Sequence, residues 1–264
     1  KFMYRALTAK MTRSPLTFRQ LFEHLSSTYT YILACPTTKQ AVIIDPVLET
    51  VDRDIQVVTH MGVQLKYAIN THCHADHVTG TGELRKRLPH IKTGIGKASG
   101  AAADFHFVHG DQIKFGDCEL EVRSTPGHTD GCCTFVDHVA KMAFTGDALL
   151  INGCGRTDFQ QGDPGRLYDS NWNHILSLPD DFALYPAHDY KGLTVTTVGE
   201  QKKFNPRLTK TKEEFKQIMD NLGLSYPKQI DKSVPANMVC GVYEVMDDKT
   251  KAAVKEAIES LSKV

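Results

Sequence analysis

Four times in this chain a short hydrophobic run ends, a Gly, Pro or polar residue turns the backbone, and a metal-capable residue follows. Residues 64–71 lead into THCHADH, LEVRSTPGHT delivers His128, MAFTGD delivers Asp147, and FALYPAHDY delivers His188 with Asp189. Apolar runs bounded by turn residues read as buried strands. Strand ends that share an orientation place their loops on one edge of a sheet. Four such ends therefore predict one site assembled from distant segments on a strand-rich scaffold.

The densest segment is THCHADH, which carries His72, His74, Asp76 and His77 within six residues. With a turn at Ala75, all four polar side chains converge on one point. Imidazole and carboxylate suit zinc, iron or another borderline cation, so a metal centre is expected.

The chain has 264 residues, enough for one large domain with a substantial core. Its 31 Lys+Arg balance its 31 Asp+Glu, so no field of one sign is available. Neither nucleic acid nor an anionic membrane is expected as a partner. No apolar run approaches the roughly 18 residues of a membrane helix. The 7 cysteines form an odd set without a CxxC pair, which reads as reduced thiols in a reducing compartment. Lys1, Arg5, Lys10, Arg13 and Arg19 precede the first acid, Glu23. Residues 1–15 thus read as an N-terminal arm, either a transit-peptide remnant or a disordered lead.

Along the chain, LTFRQLF, STYTYILA and AVIIDP predict an antiparallel meander ending at Asp45. Helices are expected over 50–61 and 80–88, the second with Arg85, Lys86 and Arg87 on a solvated face. Strands are expected over 112–115, 120–124, 134–136 and 142–145. Helices return over 167–176, with Trp172 in the core, and over 212–222 and 248–261. Strands and helices alternate in two halves that meet near Val139. That pattern suits an α/β fold of two sheets packed face to face under outer helices, spanning residues 16–244 with a C-terminal helix in 245–264.

HxHxDH followed by a PGHT histidine, a TGD aspartate and a PAHDY histidine resembles the metallo-β-lactamase superfamily, over residues 16–243. The resemblance implies a four-layer αββα sandwich with the metal at one edge of the sheets. Within the superfamily, the stretches NTHCHADHVTGTG, STPGHTDGC, FTGDALLINGCGRTDFQQG, YPAHDYKG, FNPRLTK and VPANMVCG look like the persulfide dioxygenases, the mitochondrial sulfur dioxygenases. GCGRTDFQ is the most discriminating of them. Hydroxyacylglutathione hydrolase (glyoxalase II) shares the metal motif and a related GCG turn, but carries a further helical region.

The persulfide dioxygenase resemblance implies one Fe(II) held by His72, His128 and Asp147. It implies glutathione persulfide and O2 as substrates, sulfite and glutathione as products, and a role in sulfide detoxification. His74, Asp76, His77 and His188 would then orient ligands or handle protons. In a di-zinc hydrolase the same four residues would bind metal, with Asp147 bridging. All seven are present, so the metal count stays open. Glutathione carries two carboxylates, for which Arg156, Tyr190, Lys191 and Arg207 are candidate partners. Family likeness further implies a homodimer in the mitochondrial matrix, with the cytoplasm as the alternative. His24, His60, His90, His106, His109, His138 and His174 read as surface or packing residues. Cys73 should face away from the metal, Cys132 and Cys133 should pack as small hydrophobes, and Cys154 and Cys240 fall in family stretches.

Overall fold

The computed structural model describes residues 16–242 and, beyond them, 246, 248, 249, 251, 252 and 255. The arm over 1–15 lies outside the described residues, as does most of the expected 248–261 helix.

The chain opens with the expected meander, β1 (Thr17–Glu23), β2 (Thr28–Ala34) and β3 (Gln40–Ile44), paired antiparallel. Helix α1 (Val51–His60) then returns the chain to β4 (Gln64–Ile69), which pairs parallel with β3. Helix α2 (Thr81–Arg87) leads to β5 (Lys92–Gly96) and β6 (Phe105–Phe107), also parallel. These six strands form the first sheet in sequence order.

The second sheet begins with β7 (Gln112–Phe115), β8 (Cys118–Ser124), β9 (Cys133–Asp137) and β10 (Met142–Gly146), all antiparallel neighbours. Helix α3 (Pro164–Ser170) is followed by a π-helical turn over Asn171–Ile175. The sheet is completed by β11 (Ala183–Pro186), parallel to β10, and β12 (Thr196–Thr197). Helices α4 (Val198–Phe204), α5 (Lys212–Asp220) and α6 (Ile230–Met238) follow.

Side chains alternate across each strand, and here both directions are covered. Tyr31, Leu33, Val42 and Ile44 of the first sheet meet Phe115, Leu120, Phe135 and Phe144 of the second in one core. From the same strands, Ile32, Ala41 and Ile43 point the other way, against Val51 and Val58 of α1 and Leu84 of α2. On the outer face of the second sheet, Val136, Ala143 and Leu184 pack against Leu167 of α3 and Phe215 and Met219 of α5. The result is the expected four-layer αββα sandwich, and burial on both faces explains why β2 and β3 read as unbroken apolar runs.

The division between halves differs from the expectation near Val139. The chain changes sheets between Phe107 and Gln112. Strands β5 and β6 are short and glycine- or histidine-bearing, so they leave little periodic signal. Helix α3 starts at Pro164, earlier than expected, because Asp163 caps it by accepting from Arg166 N at 2.6 Å. Trp172 is half-buried at the edge of the outer cluster instead of central to it. Helix α4 carries a Thr197–Glu200 capping box, and α6 contains Pro235; both are additional to the expected elements.

Candidate metal centre

Strand β9 runs antiparallel to both β8 and β10, and β11 runs parallel to β10. The C-terminal ends of β8, β10 and β11 therefore share an edge, which carries His128, Asp147 and His188. The end of β4 joins them from the other sheet, where Cys133 N donates to Thr71 O at 2.8 Å. Gly146, with φ 55°, lets Thr71 approach, since a Cβ there would lie 2.7 Å from Thr71 Oγ1.

Two groups of donor atoms result, each with members within 4.8 Å of one another. The first is His72, His128 and Asp147; the second is His74, Asp76, His77 and His188. All seven candidate ligands thus converge on two adjoining positions. Asp76 is half-buried and the rest are buried or nearly so.

Each ligand of the first group is gripped from behind. His72 Nδ1 donates to Thr71 Oγ1 at 2.9 Å, and that hydroxyl donates to Asp45 Oδ2 at 2.8 Å. His128 Nδ1 donates to Arg156 O at 2.6 Å. Asp147 Oδ1 accepts from His188 Nδ1 at 2.6 Å, leaving Oδ2 on the side of His128 Nε2, 3.7 Å away. This leaves Nε2 of both histidines and one carboxylate oxygen for a cation, the arrangement by which outer partners fix ligating histidines. In the second group, His74 Nδ1 and His77 Nε2 are buried and without a hydrogen-bond partner among the described residues. Unpartnered buried nitrogen lone pairs suit a cation site. The donor set fits a metal.

Electrostatics favour the same state. Burial, reinforced by His74 and His128, pushes His72 well below the usual histidine range, so its ring is neutral, the state a metal ligand requires. Burial also pushes the Asp147 carboxyl up, but His188, His72 and His128 outweigh it and keep it ionised. For His188, burial favours the neutral ring, yet Asp147 and Asp76 on its two sides hold it well above the usual range. His188 Nε2 donates to Asp76 Oδ2 at 2.7 Å, which makes it a protonated bridge between the groups.

A cavity of about 450 Å³ opens over Asp76, His128, Asp147 and His188. Arg156, Tyr190, Lys191 and Arg207 all line it. Arg156 is committed: its Nε and Nη2 grip Asp158 at 2.6 and 2.7 Å, and Nη1 donates to Ser225 O. Its guanidinium also lies 4.7 Å over the Phe159 ring. Arg207 donates to Cys154 O at 3.2 Å and pairs with no carboxylate among the described residues. Tyr190 is 71% exposed, with its ring parallel to that of His188, and Lys191 is exposed at the rim. Cys73 packs against Ile95 and Ala101, away from the ligands, and Cys154 and Cys240 are buried.

Three residues at the site were not among the sequence candidates. Asp45 accepts from Thr71 N, Thr71 Oγ1 and His74 Nε2 at 2.7–3.0 Å. It follows β3 directly, the same strand-then-polar pattern that marked the others. Asn237 of α6 donates to His74 O and His77 O and accepts from Thr79 N. Thr28 opens β2 with its hydroxyl among Asp76, His77 and His188.

The metallo-beta-lactamase superfamily model matches residues 25–188. The mitochondrial persulfide dioxygenase ETHE1 of Mus musculus is 57% identical over 229 residues, covering 87% of this chain and 90% of its own. The crystal structure of ETHE1 from Myxococcus xanthus superposes with a TM-score of 0.82 at 48% identity, covering 85% of this chain and 99% of that one. The probable hydroxyacylglutathione hydrolase glo2 of Schizosaccharomyces pombe is 32% identical, covering 70% of this chain and 84% of its own. Identity to the dioxygenase is the higher and extends over more of the chain. The chain belongs to the metallo-β-lactamase superfamily and, within it, to the persulfide dioxygenase family, whose members are oxidoreductases.

Proposed function

We propose that this chain oxidises glutathione persulfide with O2 and water at one Fe(II) held by His72, His128 and Asp147. The balance is RSSH + O2 + H2O → RSH + SO3²⁻ + 2H⁺: the outer sulfur is oxidised, dioxygen is reduced, and the inner sulfur leaves as thiol. The observation that carries the reading is the three-residue donor face, each member oriented by a protein partner, in a chain 57% identical to a persulfide dioxygenase. Ferrous iron in a two-histidine, one-carboxylate site supplies the redox chemistry of dioxygen.

The protein's own residues bind and orient. Thr71 and the Arg156 carbonyl keep each histidine's Nδ1–H pointed backward, and His188 turns Asp147 Oδ2 toward the ligand side. The cavity holds the persulfide beside that face, which replaces a collision with an ordered encounter. Arg207, free of any acidic partner among the described residues, is the better cation for a glutathione carboxylate, with Lys191 at the rim for the second. Tyr190, which lines the same cavity, offers a hydroxyl as a further polar partner. Arg156 acts through the loop it anchors.

A second reading, a di-zinc hydroxyacylglutathione hydrolase, is favoured by the two unpartnered nitrogens of His74 and His77 and by the likeness to glo2. Oxygen uptake with glutathione persulfide on protein of measured metal content separates the two. The first requires about one iron per chain and activity abolished under nitrogen; thioester cleavage under nitrogen by protein with about two zinc supports the second. An Asp147→Ala protein that kept its iron and its oxygen uptake would remove the ligand assignment. The relatives' mitochondrial names support a mitochondrial location, which we place in the matrix as part of sulfide detoxification. Among the described residues, no helix is long and apolar enough to cross a membrane.

A further inference from the structure

Residues 159–162 form a tight turn in which Gly162 N donates to Phe159 O at 2.8 Å. Its two central residues, Gln160 at φ 47° and Gln161 at φ 60°, are both left-handed. Glycine and asparagine are the usual occupants of such positions, because a larger side chain is strained there. A residue that goes against its own backbone points to a use for its side chain. Gln161 is exposed, whereas Gln160 turns inward: it is half-buried, lines the cavity and donates from Nε2 to Cys73 O at 2.8 Å, across 87 positions of sequence. We propose that the Gln160 carboxamide reads the main chain of the residue that carries the persulfide, and so selects a peptidyl persulfide over one without peptide groups. The proposal deepens the glutathione persulfide reading above and rests on it.

Cys73 lies between His72 and His74, so the amide is anchored on main chain that joins one member of each donor group. A primary carboxamide carries two N–H donors and an oxygen that accepts. Cys73 O takes one N–H; the other and Oε1 have no partner among the described residues. In an antiparallel ladder a residue uses its own N–H and C=O, side by side, to exchange two hydrogen bonds with one partner. The carboxamide offers the complementary donor and acceptor from a side chain. Glutathione is a tripeptide whose sulfur sits on the central residue, with nitrogen and carbonyl both in peptide bonds. The reacting sulfur must stand beside the metal ligands, which brings that residue's main chain within reach of an amide fixed to Cys73 O. The carboxylates at the tripeptide's two ends are left for Arg207 and Lys191, which line the same cavity. An alkyl persulfide has no peptide group to offer. A site built to hydrogen-bond its substrate discriminates against analogues that lack the matching groups.

The turn that carries the amide is itself held. The Arg156 guanidinium lies 4.7 Å over the Phe159 ring, and the Tyr226 ring meets that ring edge-on at 5.5 Å. With its turn packed and its Nε2 bonded to Cys73 O, Gln160 is oriented before substrate arrives, and a pre-oriented group loses little freedom on binding.

The test compares glutathione persulfide with the persulfide of 2-mercaptoethanol, by oxygen uptake of iron-saturated full-length protein, in wild type, Gln160→Met and Gln160→Gly. Methionine keeps the length without the polar end, and glycine suits the left-handed backbone. Melting curves establish that each variant is folded. The KM for glutathione persulfide should rise about 5- to 50-fold with kcat within about twofold of wild type, the pattern of a lost contact made equally in ground and transition states. For the alkyl persulfide, kcat/KM should change by less than about twofold. Calorimetry should show glutathione itself bound about 5- to 50-fold more weakly. Gln161→Gly, next to it on the surface, should match wild type in every measurement. Equal losses on both persulfides would mean that Gln160 acts only through the ligand loop it holds, and would overturn the proposal. So would a folded variant with unchanged KM and unchanged glutathione affinity. A wild type that takes up no oxygen with either persulfide overturns the substrate reading itself, before any variant is made, so the two failures are distinguishable.

Discussion

Asn237 Nδ2 donates to the main-chain oxygen of His74 at 2.8 Å, across 163 positions of sequence. The same amide reaches His77 O at 2.9 Å, and its oxygen accepts from Thr79 N at 2.8 Å. One side chain from α6 therefore pins the backbone on both sides of Asp76. Asn237→Ala leaves three buried main-chain groups unpaired, at roughly 1–3 kcal/mol each before relaxation. The loop should loosen, and metal affinity should fall about 10- to 100-fold, as for other outer partners of metal ligands. Competition against a chelator measures this, and affinity equal to wild type would show that the clamp does not position the ligands.

Gly155 separates Asp147 from His128. A Cβ on it would lie 2.6 Å from Asp147 O and 2.8 Å from both His128 Cγ and Nδ1. Neither neighbour is a flexible side-chain end, so Gly155→Ala must displace a ligand or the main chain beside one. The expected outcome is a folded protein with metal content well below wild type. Normal metal content together with an unshifted melting temperature would mean that the loop accommodates the methyl group.

How much of this site could be read in the sequence follows from what each residue depends on. His72, His128, Asp147 and His188 lie on the loops that leave strand ends, so local pattern alone locates them. Asp45 obeys the same rule after β3, but a single aspartate before proline reads equally as an ordinary turn. Asn237 and Thr28 have no such local mark. One sits in a proline-containing helix and the other in a buried strand, and both act on residues 48 to 163 positions away. Only the folded chain reveals them. Two sheets packed face to face under outer helices were legible in the alternation of strands and helices, and the family resemblance implied the four-layer sandwich, whereas the change of sheet after Phe107 falls where the apolar runs are shortest.

Arg156 illustrates a local pair that spacing conceals. Its fork closes on Asp158, two residues on, while its carbonyl takes the Nδ1–H of His128. The side chain thereby holds the loop that sets the ring. Asp158→Asn and Arg156→Lys both break the bidentate contact. Each should reduce metal affinity about 10- to 100-fold, with the loss recovered in part at high metal concentration. If either variant raised KM for the persulfide with metal affinity unchanged, Arg156 would be a substrate contact instead.

Asp54, far from the candidate metal centre, gives the fold a predictable response to pH. Its side chain lies within α1 at 0% exposure, with Oδ1 paired to Arg53 and Oδ2 unpartnered. Burial pushes its carboxyl up and the Arg53 charge and hydrogen bond pull it only part of the way back, so that it rises from 3.8 to about 6. The sign follows from proton counting. Below the unfolded value of 3.8 both states are protonated and the group has no effect. Between there and about 6 the native state holds the proton more tightly, so stability falls as pH rises. Above that the penalty is constant, about 3 kcal/mol for a shift of this size. Asp54→Asn cannot ionise and loses this slope. The difference in melting temperature between variant and wild type should therefore move in the variant's favour from pH 4 to 7, because all other groups are common to both. A difference that stays constant over that interval would place the Asp54 proton elsewhere: a carboxylate ionised in the native state throughout, with its desolvation fully offset by Arg53.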